Sequence, residues 1–338
     1  MRRTLLLLLA IIVVSAAIGG CRSEPDQAGR SDGIQIGMVF DIGGKGDKSF
    51  NDSAYRGLLL AADELGVTFT EFEPGQDADR ETGLRKLAQS GYDLIIGVGF
   101  LFSDAIRSVA ADYPEAKFAC VDYDVRPDEE LPPNLAGLTF REEEGSFLVG
   151  VLAGNFTKTD RIGFIGGMDI PLIHRFEAGY LAGAAYANPR VSTTVAYAGS
   201  TPQAFADPAK GKELALLQYG RGVDIIYHAS GSTGNGVIEA AKETGLYAIG
   251  VDSNQNYMAP GRVLTSMVKR VDNAVYMTVK AVVEGTFEGG VREFGLADNG
   301  IGYAVDQYNE ALLDEGMIAL VEEARAAIIA GEISVPRE

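Results

Sequence analysis

Cysteine and histidine are both scarce in this 338-residue chain, with two of each. Cys21 and Cys120 form no Cys-x-x-Cys pair, and no disulfide framework follows from two such distant residues. Cys120, inside the apolar run KFACVDYD, is expected to be a small buried core residue. His174 and His228 stand in no His-Glu-x-x-His arrangement, and no Gly-x-Ser-x-Gly elbow is present. Little is left for metal-assisted or nucleophilic catalysis. Basic residues are also outnumbered, 29 Lys and Arg against 47 Asp and Glu, for a net charge of −18. Such a balance argues against nucleic-acid binding and against electrostatic adhesion to anionic lipid.

Glycine is plentiful, yet the glycines of a phosphate loop are missing where they would matter. The stretch DIGGKGDKSFNDS, residues 41–53, follows an apolar run and precedes a helix-period segment. If Lys48 and Ser49 closed a Gly-x-x-x-x-Gly-Lys-Ser motif, Ile42 and Asp47 would occupy the glycine positions. A carboxylate at Asp47 would repel phosphate, so nucleotide hydrolysis is rejected. Asp41, Asp47 and Asp52 also fail the EF-hand spacing, and no Glu closes the array. Asn51 or Asp52 is expected instead as a helix N-cap. No metal and no cofactor are expected. GSTGNG, residues 231–236, opens a helix after DIIYHAS; its glycine spacing is not that of a dinucleotide turn, and a tight strand-to-helix turn explains it as well as an anion site.

The N-terminus carries what the rest lacks. Arg2 and Arg3 precede the apolar LLLLLAIIVV, and IGGC follows at residues 18–21. Residues 1–20 read as a bacterial lipoprotein signal peptide, cleaved before Cys21, whose thiol takes a diacylglycerol. Each buried lipid CH₂ contributes about 0.8 kcal/mol to membrane anchoring. Residues 21–33 are polar, with Gly and Pro, and read as a flexible tether.

From residue 34 the pattern alternates. IQIGMVF, VTFTEFE, DLIIGVG, KFACVDYD and LAGLTF read as strands, as do RIGFIGG, STTVAYAG, DIIYHAS, LYAIGVDS and RVLTSMVK. SAYRGLLLAADELG, EEGSFLVGVLAGNF and DNAVYMTVKAVVEG have helical spacing. Such alternation predicts α/β architecture with parallel sheets covered on both faces. The second series repeats the first: Asp93 to Asp122 spans 29 positions and Asp224 to Asp252 spans 28. Two similar doubly wound lobes follow, with ligand beyond the carboxyl ends of their strands. Asp122 and Asp252 lie just past such ends, and Lys269 ends LTSMVK. Facing carboxylates suit acid–base work or polyol recognition equally. Phe50 and Phe205 sit in loops at strand ends, as local plugs or as rings facing a cleft. His174, in PLIHRFEAGY, is expected at a helix start or a cleft edge.

DIGGKGDKSFNDSAYRG, FACVDYD, FIGGMDIPLIHRFEAGY, GSTGNGV, AIGVDSNQ and LTSMVKRVDNAVY together resemble the basic membrane protein family, PnrA-like purine nucleoside-binding lipoproteins of ABC transporters. The resemblance covers nearly all of residues 34–303. It implies a type I periplasmic-binding-protein fold whose two lobes, joined by a multi-strand hinge, close on a ligand. The expected lobes are residues 34–139 plus about 270–290, and 140–269 plus about 291–330. It also implies that Phe50 and Phe205 stack on a purine and that Asp41 and Asn51 contact the base. Asp122, Asp252 and Lys269 would hold ribose hydroxyls, and Gly231 and Gly234 would let backbone approach the ligand. The expectation is a lipid-anchored extracytoplasmic binder of inosine, guanosine or adenosine, working with a permease and an ATPase. Its rivals are a sugar binder of the same fold, a nucleoside hydrolase using the two Asp residues, and an envelope sensor or adhesin.

Overall fold

The computed structural model describes residues 33–75 and 78–338; the expected signal peptide, Cys21 and the tether through residue 32 lie outside the described residues. The first half runs β1 (Gln35–Val39), α1 (Phe50–Leu65), β2 (Thr68–Phe72), α2 (Ala78–Gln89), β3 (Leu94–Val98), α3 (Ser103–Asp112), β4 (Lys117–Val121) and β5 (Leu135–Phe140). Central strands such as LIIGV of β3 are buried at every position, as a sheet covered on both faces requires. On α1, Ala54, Leu58 and Ala61 recur at helical spacing and are buried. Gly66 then ends the helix in the left-handed conformation.

After β5 the chain leaves the first sheet. It continues as α4 (Glu142–Phe156), β6 (Arg161–Met168), α5 (Pro171–Ala187), β7 (Ser192–Gly199), α6 (Pro208–Tyr219), β8 (Ile225–Ala229), α7 (Thr233–Thr244), β9 (Tyr247–Asp252) and β10 (Val263–Lys269). It then returns as α8 (Val271–Val283), packed on α1, and β11 (Gly290–Phe294). It crosses once more to β12 (Ile301–Tyr303) and α9 (Glu315–Ile329).

Among the described residues the strands form two six-stranded sheets, ordered β11-β5-β4-β3-β1-β2 and β12-β10-β9-β8-β6-β7. Apart from β12, which runs antiparallel to β10, every pairing is parallel. The two orders correspond strand for strand, so the halves share one topology except at the edge, where β11 is parallel to β5 and β12 antiparallel to β10. One boundary differs from expectation. Residues 291–294, expected in the second lobe, belong to β11 and pair with β5 in the first sheet. Edge pairing, not apolar pattern, holds VREF there, because three of its first four positions in GVREF are exposed.

The crossings meet at the start of α4. A Cβ at Gly150 or Gly154 would come within 2.4 Å of α5 backbone, and one at Gly179 or Gly183 within 2.2 Å of α4 backbone. The two helices therefore touch backbone to backbone. Their contact outweighs the helix propensity that interior glycines forfeit, about 1 kcal/mol each relative to Ala. It fixes the acidic first turn of α4 beside the chain crossings.

Candidate functional site

The carboxyl ends of both sheets face one cavity. Eight of the nine residues expected there line it: Asp41, Phe50, Asn51, Asp122, Phe205, Gly231, Asp252 and Lys269. The ninth, Gly234, does not. It lies in the first turn of α7, and a Cβ there would sit 1.9 Å from the His228 ring. Close helix-to-strand packing, not approach to the cavity, accounts for that glycine.

The 41–53 loop holds its shape through two carboxylates, those of Asp47 and Asp52. Asp47 is buried and accepts from the amides of Ser49 at 2.8 Å, Asn51 at 2.8 Å and Asp52 at 3.1 Å. The capping role expected of Asn51 or Asp52 thus falls to Asp47, because the chain turns tightly enough for a residue before Ser49 to reach the free amides. Asp52 turns back to the amides of Gly46 and Lys48. Asn51 accepts from the Asp41 amide at 3.2 Å, and Arg80 lies 3.6 Å from the Asp41 carboxylate. Two polar groups are thereby held at one wall of the cavity.

Across the cleft, the GSTGNG turn positions an aromatic ring. Ser232 Oγ donates to the Phe205 carbonyl at 3.2 Å, and Thr233 Oγ1 to that of Ala204 at 2.8 Å. The Phe205 ring lies over Gly167, where a Cβ would come within 2.2 Å of it. Phe100 meets Phe205 edge-on at 6.3 Å. The Phe50 ring lies 5.3 Å from Lys269 Nζ, and those of Phe140 and Phe176 lie 4.9 and 5.5 Å from it.

Lys269 is 1% exposed. Its Nζ lies 2.6 Å from the Asp122 carboxylate and 3.0 Å from Glu142. Burial works against the ammonium, but Asp122, Glu142 and Asp252 together outweigh it and hold its pKa above the ordinary lysine value. Burial pushes the Asp122 carboxyl up, and Lys269 offsets this only in part, so its pKa stays above the ordinary carboxylate value. Asp252 has no such cation in contact. Ser49 Oγ donates to it at 2.6 Å, and burial leaves its pKa raised to about 6. Both aspartates adopt positive φ, 56° at Asp122 and 62° at Asp252. Non-glycine residues rarely hold that conformation, and it concentrates at functional sites.

The two sides also bond directly on one flank. Ser253 Oγ donates to the Ser49 carbonyl at 2.7 Å, Gln255 Nε2 to that of Lys48 at 3.1 Å, and Asn235 Nδ2 to that of Asp47 at 3.1 Å.

Sequence reasoning missed Glu142, Ser49, Ser230 and Phe100. Glu142 opens an acidic run one residue after LAGLTF, a signal that was there to be used. Ser230 ends DIIYHAS, lines the cavity and is buried, and its Oγ has no hydrogen-bond partner. His174 lies in the first turn of α5, bonded to Asp169 at 2.6 Å and away from the cavity. Cys120 is fully buried. Among the described residues, no cluster of His, Cys, Asp and Glu is suited to a metal ion, and no helix is long and apolar enough to cross a membrane.

Comparison with known proteins places this geometry. The family model described as "ABC transporter substrate-binding protein PnrA-like" matches residues 34–338. The CD4+ T-cell-stimulating antigen of Listeria monocytogenes serovar 1/2a is 37% identical, over 100% of this chain and 99% of that protein. The ABC transporter nucleoside-binding protein BmpA of Lactococcus lactis subsp. cremoris is 33% identical, over 99% of each. A crystal structure of an ABC transporter solute-binding protein from Aeropyrum pernix K1 superposes with a TM-score of 0.82 at 34% identity, covering 90% of this chain and 94% of that one. The chain belongs to the PnrA-like family of ABC transporter substrate-binding proteins. Its fold is the type I periplasmic-binding-protein fold, with two parallel-sheet α/β lobes.

Proposed function

We propose that this protein captures purine nucleosides outside the cytoplasm, tethered by lipid on Cys21, and delivers them to the permease and ATPase of an ABC importer. The observation that carries the reading is that Phe50 and Phe205 line the same cavity as Asp122, Asp252 and Lys269. Apolar ring faces suit a flat heterocycle, and ionised carboxylates accept strongly from hydroxyls. Asp41 and Asn51 meet the base, and Gly231 lends its backbone. The nucleoside-binding name of the Lactococcus relative supports the same class. The lobes that close are residues 34–140 with 271–294, and 141–270 with 295–338. Nucleoside monophosphates are disfavoured, because Asp122 and Glu142 already flank Lys269, the one ammonium lining the cavity among the described residues.

Isothermal titration with inosine, guanosine, adenosine and GMP tests this. Binding of the nucleosides but not GMP is expected, with Phe205→Ala weakening them strongly. Tight GMP binding overturns the charge argument, and hypoxanthine appearing from inosine overturns the pure-binder reading. Fatty-acid labelling that survives Cys21→Ala would remove the anchor.

A further inference from the structure

The cavity is shut on one flank and open on the other. The Ser49, Lys48 and Asp47 contacts to Ser253, Gln255 and Asn235 close the first flank. On the other, a vestibule shares Phe100, Asp122 and Leu172 with the cavity as common wall. By the same measure the vestibule offers about 630 Å³ of free space and the inner cavity about 70 Å³. Val125 and Val291 line the vestibule while each remaining 49% exposed.

The electrostatics limit what the vestibule can hold. Arg175 lies 3.6 Å from Glu142, and Arg337 is bonded to Glu143 at 2.7 Å and Glu293 at 3.0 Å. Both guanidinium groups are therefore already matched, and Asp122, Asp124, Glu142 and Glu293 line the same space. An anionic occupant would find acidic walls and, among the described lining residues, only guanidinium groups already paired with carboxylates.

We propose that the site accepts nucleosides extended at the sugar end by a neutral or cationic apolar substituent, which the vestibule between Leu172, Val125 and Val291 holds. This rests on the nucleoside reading, in which Asp122 meets the sugar hydroxyls. Asp122 stands in the doorway, so the sugar end looks into the vestibule. The latched flank closes the opposite direction to an extension.

The test is titration of adenosine and of 5′-deoxy-5′-butylthioadenosine against wild type, Val291→Trp and Val125→Trp, with thermal melts as folding controls. Val291 stands on edge strand β11 and Val125 in a loop, so an indole at either fills the vestibule without entering the inner cavity. Wild type binds both ligands within about threefold, and each Trp variant costs the analogue about tenfold or more while changing adenosine less than about twofold. Exclusion of the analogue by wild type, or an equal loss of both ligands in a folded Trp variant, overturns the vestibule alone. Failure of adenosine itself to bind, together with inosine and guanosine, overturns the nucleoside reading and this inference with it.

Discussion

Asp122 and Asp252 stand at matching places in two copies of one topology. Asp122 directly follows β4 and Asp252 ends β9; each adopts positive φ, each is buried, and each lines the same cavity. Their partners differ. Asp122 has an ammonium at 2.6 Å, shared with Glu142, whereas the hydrogen bond to the Asp252 carboxylate among the described residues comes from the Ser49 hydroxyl at 2.6 Å, reached across the cleft. The repeat therefore supplies position and backbone geometry, and the neighbours supply charge state. Lys269 ends β10 and Glu142 begins α4, both at chain crossings. The cation thus sits where the lobes join and favours the first aspartate. The second is left near the edge of ionisation, ready for hydroxyls brought by a ligand.

The largest effect that can break this contrast is removal of the cation. Lys269→Met leaves three buried carboxylates facing one another and should cost about 3–5 kcal/mol of folding stability, read by urea denaturation. Adding Asp122→Asn and Glu142→Gln to it should restore most of the loss. If Lys269→Met alone is neutral, Asp122 and Asp252 are not distinguished by an ion pair.

Next is the sign of the two Asp-to-Asn substitutions. Asp252 has a folded pKa of about 6 against a reference of 3.8. Its stabilising contribution is full below the reference value, is lost as pH rises through about 6, and leaves a penalty at neutral pH. Asp252→Asn should stabilise the ligand-free protein at pH 7, by up to about 3 kcal/mol, and flatten its stability between pH 4 and 6. Asp122→Asn should destabilise it, because Lys269 loses its nearest anion. The same sign in both variants would erase the comparison.

Proton-linked binding is a smaller effect. A hydroxyl-bearing ligand favours ionised Asp252, so nucleoside affinity should fall as pH drops below about 6 and stay level above it. Titrations from pH 5 to 8 read the slope, and Asp252→Asn should abolish it. The smallest change is Ser49→Ala, which removes one hydrogen bond across the cleft and should cost about 1 kcal/mol of affinity alike for all nucleosides.

Much of this site was legible because strand ends can be read. The paired Val-Asp segments located both aspartates, and LTSMVK located Lys269, since apolar runs mark strands and ligands gather beyond their carboxyl ends. Gly234 was misread because a glycine in a turn looks the same whether a ligand or a histidine ring approaches it. Glu142 was missed because helical spacing in its segment was counted from the next residue. Strand β11 was assigned to the wrong lobe because an edge strand with exposed positions carries little apolar pattern.

Local order along the chain determined the strands, the helices, the repeat and the residue types available at each strand end, because these depend on spacing of a few residues. Tertiary structure alone decided that Lys269 would face Asp122 and Glu142 rather than Asp252. It also decided that Asp47 would bind three amides and that one flank of the cleft would be latched. Such choices depend on distances between segments up to about two hundred residues apart, as between Ser49 and Asp252, and burial amplifies every ångström of them.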